Sequence, residues 1–457
     1  MSGAVLVGAF LSRSVWVSDA SFHPDESTVL WMALDAVRDV RIPDHGLIST
    51  YHVYQPPGLV WATMPFVAIG GGRPEPVIVG FAMLNAAAIT LLVATYARVC
   101  GLLCAAVLGT FLVVGPDAFY SAAVWHPSLY TAATCLVLAA GFRLRTGSRW
   151  WAGVLVVVPG LYALIHYSGV VLAAPALALL VLSRREWRQL VTPVVFAGGP
   201  VVLAWMPFLS FQVDRHWVDL KTVLDAGDTG GSLGHKLDER LSGLGFAVTH
   251  LGQSVHNPVG LTWVLWPLVV LAVVIAVARR QWRDPGFLLP AMVVVTGVLT
   301  QVAFDQGERQ DVLMLWLVPL YALAAWATAQ VADLLEDLPR RVAAATAVAV
   351  LVAVVGGVDL VRAIRDTPES QRLGEVWREA RSGAPVTYLA GAAPDASANT
   401  DYLPCDPPYD WGSQVWYLRE VLRPGRGLRD AAEAGAFRWR AGPPCPARDA
   451  GLGLGQT

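Results

Sequence analysis

Charge is what this sequence has least of. Asp, Glu, Lys and Arg together make up 15% of its residues, hydrophobic types make up 55%, and the mean hydropathy is +0.50. Soluble domains carry about 25% charged residues, so the balance excludes an ordinary soluble domain and marks an integral membrane protein. The formal net charge is −2 and the pI about 6.5. Neither offers the basic face that nucleic acid requires, so nucleic acid is excluded as a partner. Cysteine is scarce too, at five residues. Cys100, Cys104 and Cys135 sit in apolar segments and read as small core residues, while Cys405 and Cys445 lie in a polar tail. Cys100 and Cys104 are one helical turn apart, but no second pair accompanies them, so they make no metal motif. A secretory signal peptide is missing as well. The first apolar run has no basic start, is broken by Arg13 and shows no clear cleavage site. It reads as the first membrane helix, and a late start codon would account for its shortness. No internal repeat is evident, which weakens inverted-repeat transporter readings.

What the sequence has is a ladder of uncharged stretches. A spanning helix needs roughly 17–25 apolar residues. Candidates occupy 77–97, 102–116, 127–142, 190–211, 258–278, 286–304, 312–331 and 342–358. The stretch 150–182 is too long for one pass and slightly short for two. Pro159-Gly160 and His166-Tyr167-Ser168-Gly169 interrupt it, which suggests a break whose backbone polar groups face a cavity. Topology decides the matter. Basic clusters at 143–149, 184–188, 279–283 and 340–341 belong in the cytoplasm by the positive-inside rule. All four land there if 150–182 is two helices and the Pro56-Pro57 segment lies on the membrane. The chain is then an all-α polytopic protein of about eleven transmembrane helices, by the same reasoning. The division is residues 1–361 as the membrane domain and 362–457 as a small exoplasmic C-terminal domain. That tail holds a strand-like run at 385–389 and a helix-like run at 414–422. Outside the cell, a Cys405–Cys445 disulfide is allowed.

The outer loops collect the residues that can do chemistry. Phe22-His23-Pro24-Asp25-Glu26 opens the first, long loop. Carboxylates beside a membrane are expensive to keep dry, so Asp25 is a candidate catalytic base facing an amphiphilic substrate. The plainer reading makes Asp25 and Glu26 the cap of a helix over 26–40, with Trp31, Leu34 and Val37 at helical spacing. A cap can also be a base, so both readings stand. Gln55-Pro56-Pro57-Gly58 opens a second helix that ends at Gly70-Gly71-Gly72, a length suited to the interface rather than to a span. Asp117 and His126 flank the next outer loop. His166 and Tyr167 fall at the helix break, where a histidine is either a satisfied core residue or faces a polar cavity. Arg309, in Glu308-Arg309-Gln310-Asp311, is either part of a solvated turn or a phosphate partner, since guanidinium binds phosphate oxygens bidentately. The spans themselves are almost free of mid-helix charge, which a transporter or flippase for an amphiphilic envelope component would need.

In their order and topology these motifs resemble the GT-C glycosyltransferases: the protein O-mannosyltransferases, the lipid A aminoarabinose transferase and the RgtA/B/C/D-like group. Phe22-His23-Pro24-Asp25-Glu26 matches the acidic motif of the first outer loop, and Arg13 falls where an Arg is common at the end of the first helix. Gln55-Pro56-Pro57-Gly58-Leu59-Val60-Trp61 matches the Pro-Pro motif, with Gln55 where relatives often carry Lys. Residues 123–128 and 309–319 resemble two further stretches, and His166-Tyr167 stands where many relatives have Lys or Arg. The resemblance covers roughly residues 4–360. It implies a sugar transfer with inversion, from a polyprenyl-phosphate donor to a lipid, glycan or protein acceptor on the outer face of a bacterial plasma membrane. Asp25 would be the base. Glu26 and Asp117 would orient acceptor, sugar or a divalent ion, the one cofactor left open. His23, Gln55, His126, His166, Tyr167 and Arg309 would line the substrate site. A catalytically inactive assembly factor of the same fold is the further alternative.

Overall fold

The computed structural model describes residues 1–22, 24–47, 53–183, 186–219, 221–222, 260–303, 310–335, 337–367, 372–382, 417–418 and 421–422. Among them the chain is helical and forms no strand. The helices are α1 (Ser2–Ser14), α2 (Pro24–Arg38), α3 (Gly58–Gly70), α4 (Pro74–Val99), α5 (Leu102–Val114), α6 (Asp117–Tyr120), α7 (Tyr130–Thr146) and α8 (Trp151–Ile165). They continue as α9 (Ala173–Leu182), α10 (Trp187–Asp214), α11 (Gly260–Ala278), α12 (Pro285–Ala303), α13 (Gln310–Ala332), α14 (Leu338–Asp366) and α15 (Leu373–Ser382).

Every apolar stretch expected to span carries a helix. Among the described residues six helices are long and apolar enough to cross a membrane: Pro74–Val99, His126–Thr146, Trp187–Asp214, Gly260–Ala278, Leu315–Ala332 and Leu338–Asp366. Shorter apolar helices account for the rest, and α3 is among them. Without water in the bilayer core, every backbone polar group must be satisfied within its own segment, so the helix is the form these stretches can take. The expected break in 150–182 occurs at His166, where α8 stops and a 3-10 turn, Tyr167–Leu172, leads into α9. Pro159 does not break the chain; it lies inside α8.

The interior is organised around α4, α7 and α13. In α7 and α13, 89% and 83% of the spanning window is buried, against 11% in α10 and 22% in α14, which places the first two at the centre and the last two at the rim. The rim helices present Val195, Phe196, Leu203 and Val354 outward, as lipid-facing helices do. At the centre Tyr321 stacks on Phe111, and Tyr96 meets Phe142 edge-on. Cys104 and Cys135 are buried small residues and Cys100 is half-buried, as expected of core cysteines.

The segment after α1 folds back on this bundle as two short helices, α2 and α3, packed against each other. Leu30, Ala33 and Leu34 of α2 are buried at helical spacing, while Trp31 and Val37 are only half-buried. Gly58 lets the start of α3 touch the end of α8: a Cβ there would lie 2.5 Å from the Leu164 carbonyl carbon. The strand-like run at 385–389 and the Cys405–Cys445 pair lie outside the described residues. Of the helix-like run at 414–422, residues 417–418 and 421–422 are helical.

Four helices end in the same motif, an N–H reaching back five residues past a residue in the left-handed region. The bonds are Arg41 N–H to Ala36 O, Gly72 N–H to Val67 O, Trp217 N–H to Gln212 O and Gln281 N–H to Ala276 O. After α3 the left-handed position is Gly71, at φ 59°; after α2 it is Val40, at φ 51° and 92% exposed. A β-branched residue is strained there and glycine is not. Val40→Gly is therefore expected to stabilise the protein by about 1 kcal/mol, read as a raised melting temperature in detergent. A lowered melting temperature would contradict the strain argument.

Candidate active site

The acidic motif sits where a helix begins. Phe22 is fully buried and anchors the chain, Pro24 supplies the fixed φ of a first helical turn, and Asp25 and Glu26 follow within that turn. Both lie inside the helix rather than at its cap, so each carboxylate faces the positive end of the α2 dipole. Glu26 is buried, at 1% exposure. Asp25 is open to solvent on one side yet hemmed in by protein on the others. Burial raises its carboxyl above the ordinary 3.8, and nearby His126 works in the opposite direction.

His126 heads the next outer segment, in the 3-10 turn His126–Leu129 that runs into α7. Its ring stacks face to face on that of His166, with centroids 3.7 Å apart and planes 4° from parallel. Both residues are 4% exposed. One residue fixes both backbones. The Tyr162 hydroxyl donates to the His126 carbonyl at 2.7 Å, and the Tyr162 carbonyl accepts from the His166 N–H at 3.0 Å. Tyr130 closes over Tyr162, with centroids 5.3 Å apart.

The 126–132 turn is held from below by Asn85 of α4, the amide within an otherwise apolar span. Its Nδ2 donates to Ser128 O at 2.6 Å and to Phe81 O at 3.0 Å, and its Oδ1 accepts from the Ala132 N–H at 2.9 Å. Sequence reasoning passed over Asn85; a lone amide in the 77–97 stretch was the available signal. Tyr162 gave no signal of its own, because a tyrosine in an apolar helix is ordinary.

On the far side of the break, the Tyr167 hydroxyl donates to the Tyr54 carbonyl at 2.5 Å, next to Gln55. Burial raises the Tyr167 phenol well above its usual range, so it stays a neutral donor. Gln55 itself is pinned by its backbone: its N–H donates to Leu47 O and its carbonyl accepts from the Gly46 N–H, both at 2.7 Å. His45, Tyr54 and Phe211 form an aromatic cluster, and the Arg215 guanidinium lies 4.6 Å from the Tyr54 ring centre.

Asp117 takes a different place from Asp25. Its Oδ2 lies 2.5 Å from the Arg13 guanidinium and accepts from the Thr131 hydroxyl at 2.8 Å, and both charged residues are almost fully buried. Arg13 also donates to Leu112 O at 3.0 Å and Ala9 O at 3.3 Å. The structure thus brings Asp25 near His126 and stacks His126 on His166, sets Tyr167 against the backbone next to Gln55, and commits Asp117 to Arg13. His23 and Arg309 lie outside the described residues.

The divalent ion left open by the sequence finds no fit here. Asp117, the third carboxylate on offer, has its Oδ2 taken by Arg13 and Thr131. Among the described residues no three His, Cys, Asp or Glu side chains are grouped to hold a metal ion.

No family model matches the chain, and no curated protein matches it by sequence. Solved structures do. The chain superposes on ArnT from Cupriavidus metallidurans bound to undecaprenyl phosphate with a TM-score of 0.52, at 15% identity, over 90% of this chain and 83% of that one. The fold is that of the GT-C glycosyltransferases. The apo form of ArnT gives a TM-score of 0.54 at 14% identity, with the same coverage. The archaeal oligosaccharyltransferase AglB from Archaeoglobus fulgidus, in complex with an inhibitory peptide and a dolichol-phosphate, gives 0.50 at 13% identity over 92% of this chain and 63% of that one. A further structure of the Archaeoglobus fulgidus oligosaccharyltransferase contains Zn and sulfate. These likenesses establish the GT-C architecture expected from the motifs of the first and later loops.

The Arg13–Asp117 pair can be tested by itself. Removing one partner of a buried ion pair leaves an uncompensated charge and costs about 3–5 kcal/mol. Arg13→Met should therefore destabilise by about that amount, and Arg13→Met with Asp117→Leu should recover most of the loss. A double variant no more stable than the single one, by melting in detergent, would contradict the pairing.

Proposed function

We propose that the chain is a membrane glycosyltransferase that moves a sugar from a polyprenyl-phosphate donor to an acceptor hydroxyl on the outer face of the membrane. The observation that carries this reading is Asp25, in the first turn of α2, within electrostatic reach of His126, whose ring stacks on His166, in a GT-C fold. The bound lipid phosphates of two fold neighbours, undecaprenyl phosphate in ArnT and dolichol-phosphate in AglB, support the donor class.

In the reaction, Asp25 accepts the proton of the acceptor hydroxyl as its oxygen attacks the anomeric carbon. The new glycosidic bond forms as the bond to the lipid phosphate breaks, with inversion, and the electron pair leaves on the phosphate oxygen. General-base assistance of this kind is worth about 10²–10⁴ in rate. A base serves best when its pKa lies near the working pH, and the raised value of Asp25 moves it that way. Glu26, buried one residue on, orients the acceptor or the base. Gln55, Tyr167 and His166 line the donor side, with His126 between the two. Arg309 and His23, taken from the sequence, complete the site; Arg309 would meet the phosphate charge that develops on the leaving group. We further propose a multi-pass protein of the bacterial plasma membrane with its site and C-terminus exoplasmic, in line with the four basic clusters. The hexosyl or pentosyl character of the sugar belongs to the same proposal.

Asp25→Asn removes the base and keeps the shape. Transfer is expected to fall by at least about 10²-fold. For wild type, activity should fall as pH is lowered through a range above 3.8, because the base must be ionised and its pKa is raised. The stability sign follows. A carboxyl with a raised folded pKa stabilises when protonated, and that contribution is lost as pH rises through the folded pKa. Asp25→Asn should therefore melt no lower than wild type at pH 7. Full activity of Asp25→Asn would move the base elsewhere, and a clearly lower melting temperature would undo the burial argument.

A further inference from the structure

The chain beyond α14 returns to the acidic motif. α14 ends at Asp366, and Arg372 then pairs antiparallel with Ser21 in an isolated β-bridge. Next to it, the Leu373 N–H donates to Ala20 O at 3.0 Å. Arg372 pins its own turn by donating to Thr367 O at 3.1 Å and Arg365 O at 2.9 Å. Leu373, Val376, Trp377 and Ala380 of α15 are buried in the common core, and Trp377 packs under the Arg73 guanidinium at 5.7 Å. A second anchor comes from farther along. Tyr417 is 1% exposed, its hydroxyl donates to Gly72 O, and its ring meets Trp31 of α2 edge-on at 5.9 Å.

These contacts bracket Asp25 without touching it. Ser21 and Ala20 lie just before the helix start, and Trp31 lies farther along α2. Phe22 between them is fully buried. The buried face of α2, with Leu30, Ala33 and Leu34, fixes the body of this fifteen-residue helix, and the contacts above add a hold at its start. Here both sides of its first turns are held by the distal end of the chain.

We infer that residues 372–382 together with Tyr417 act as a positioning element for the transfer reaction, holding the first turn of α2, and so Asp25, in register with His126 and the His166 ring stacked on it. The inference rests on Asp25 being the base. It gives the tail a part in the chemistry rather than only a place beside it. Misplacing a catalytic group by about 1 Å can cost about 10²-fold in rate.

Leu373→Pro tests it, since proline is tolerated at the first position of a helix and removes the N–H that bonds Ala20. Leu373→Ala, which keeps that N–H and only shortens the buried side chain, is the control and should leave kcat and exchange at 19–30 nearer to wild type. The assay follows whichever donor is consumed from a set of radiolabelled undecaprenyl-phosphate sugars. The expected result is a fall in kcat of about 10-fold or more with KM for the donor nearly unchanged, together with faster amide exchange over residues 19–30 and none over α4. Unchanged kcat, or unchanged exchange at 19–30, would overturn the inference. Ser21→Cys with Arg372→Cys guards against a folding defect. Antiparallel neighbours stand about 4.5–5.5 Å apart at Cα, within disulfide range. The oxidised pair should be at least as active as the reduced one; an inactive oxidised form would mean that the tail must leave, which also overturns the inference. Asp25→Asn separates the two readings: if it is fully active the base assignment fails, whereas an inactive Asp25→Asn beside a fully active Leu373→Pro sinks the positioning role alone.

Discussion

The arrangement hangs on one buried ion pair. Asp117 Oδ2 meets Arg13 from α1 and Thr131 from α7, so three elements converge on a single carboxylate oxygen. The chain leaves Arg13 for the acidic motif of α2 on one side. From Asp117 it runs into the turn carrying His126 on the other. A charge in such a place is costly to desolvate and tolerable only when paired. The pair therefore fixes how the outer ends of α1, α6 and α7 stand relative to one another, and with them the two halves of the site. Asn85 and Tyr162 then refine the second half, each by hydrogen bonds that leave the backbone of the 126–132 turn and of the helix break one arrangement.

Much of this was legible in the sequence, for identifiable reasons. The spans follow from uncharged length, and the break at His166 follows from charge bookkeeping across the membrane, which required two helices in 150–182. The start of α2 was marked by Pro24 and two acidic residues, and the end of α3 by three glycines. The clustering of Asp25 with His126 and His166 was foreshadowed only by their shared outer face. The Arg13–Asp117 pair was invisible, because its partners are 104 residues apart and each reads locally as an interface residue. The return of the tail was equally hidden. A single backbone bridge between Ser21 and Arg372 leaves no periodicity to read. Pro159, which resembles a break in sequence, is absorbed within α8 because a neighbouring helix can cover the freed carbonyl.

The account also explains the departures at Gln55 and His166-Tyr167. Where a fixed cation is common, this chain places a neutral amide held by its backbone and a stacked imidazole pair beside the break. The two imidazoles stack at 3.7 Å, so aromatic rings rather than a lysine ammonium stand beside the break. The donor's phosphate would then depend more heavily on guanidinium, which is the role proposed for Arg309.

The most direct measurement is product analysis with the purified wild-type protein in lipid vesicles. It would be given radiolabelled undecaprenyl-phosphate sugars and an extract of envelope lipids and glycans as acceptors. The account predicts that one donor is consumed on the site-exposed face, releasing the lipid phosphate and yielding a glycoside of inverted anomeric configuration. Donor that crosses the bilayer with its sugar still attached, and no new glycoside, would contradict it.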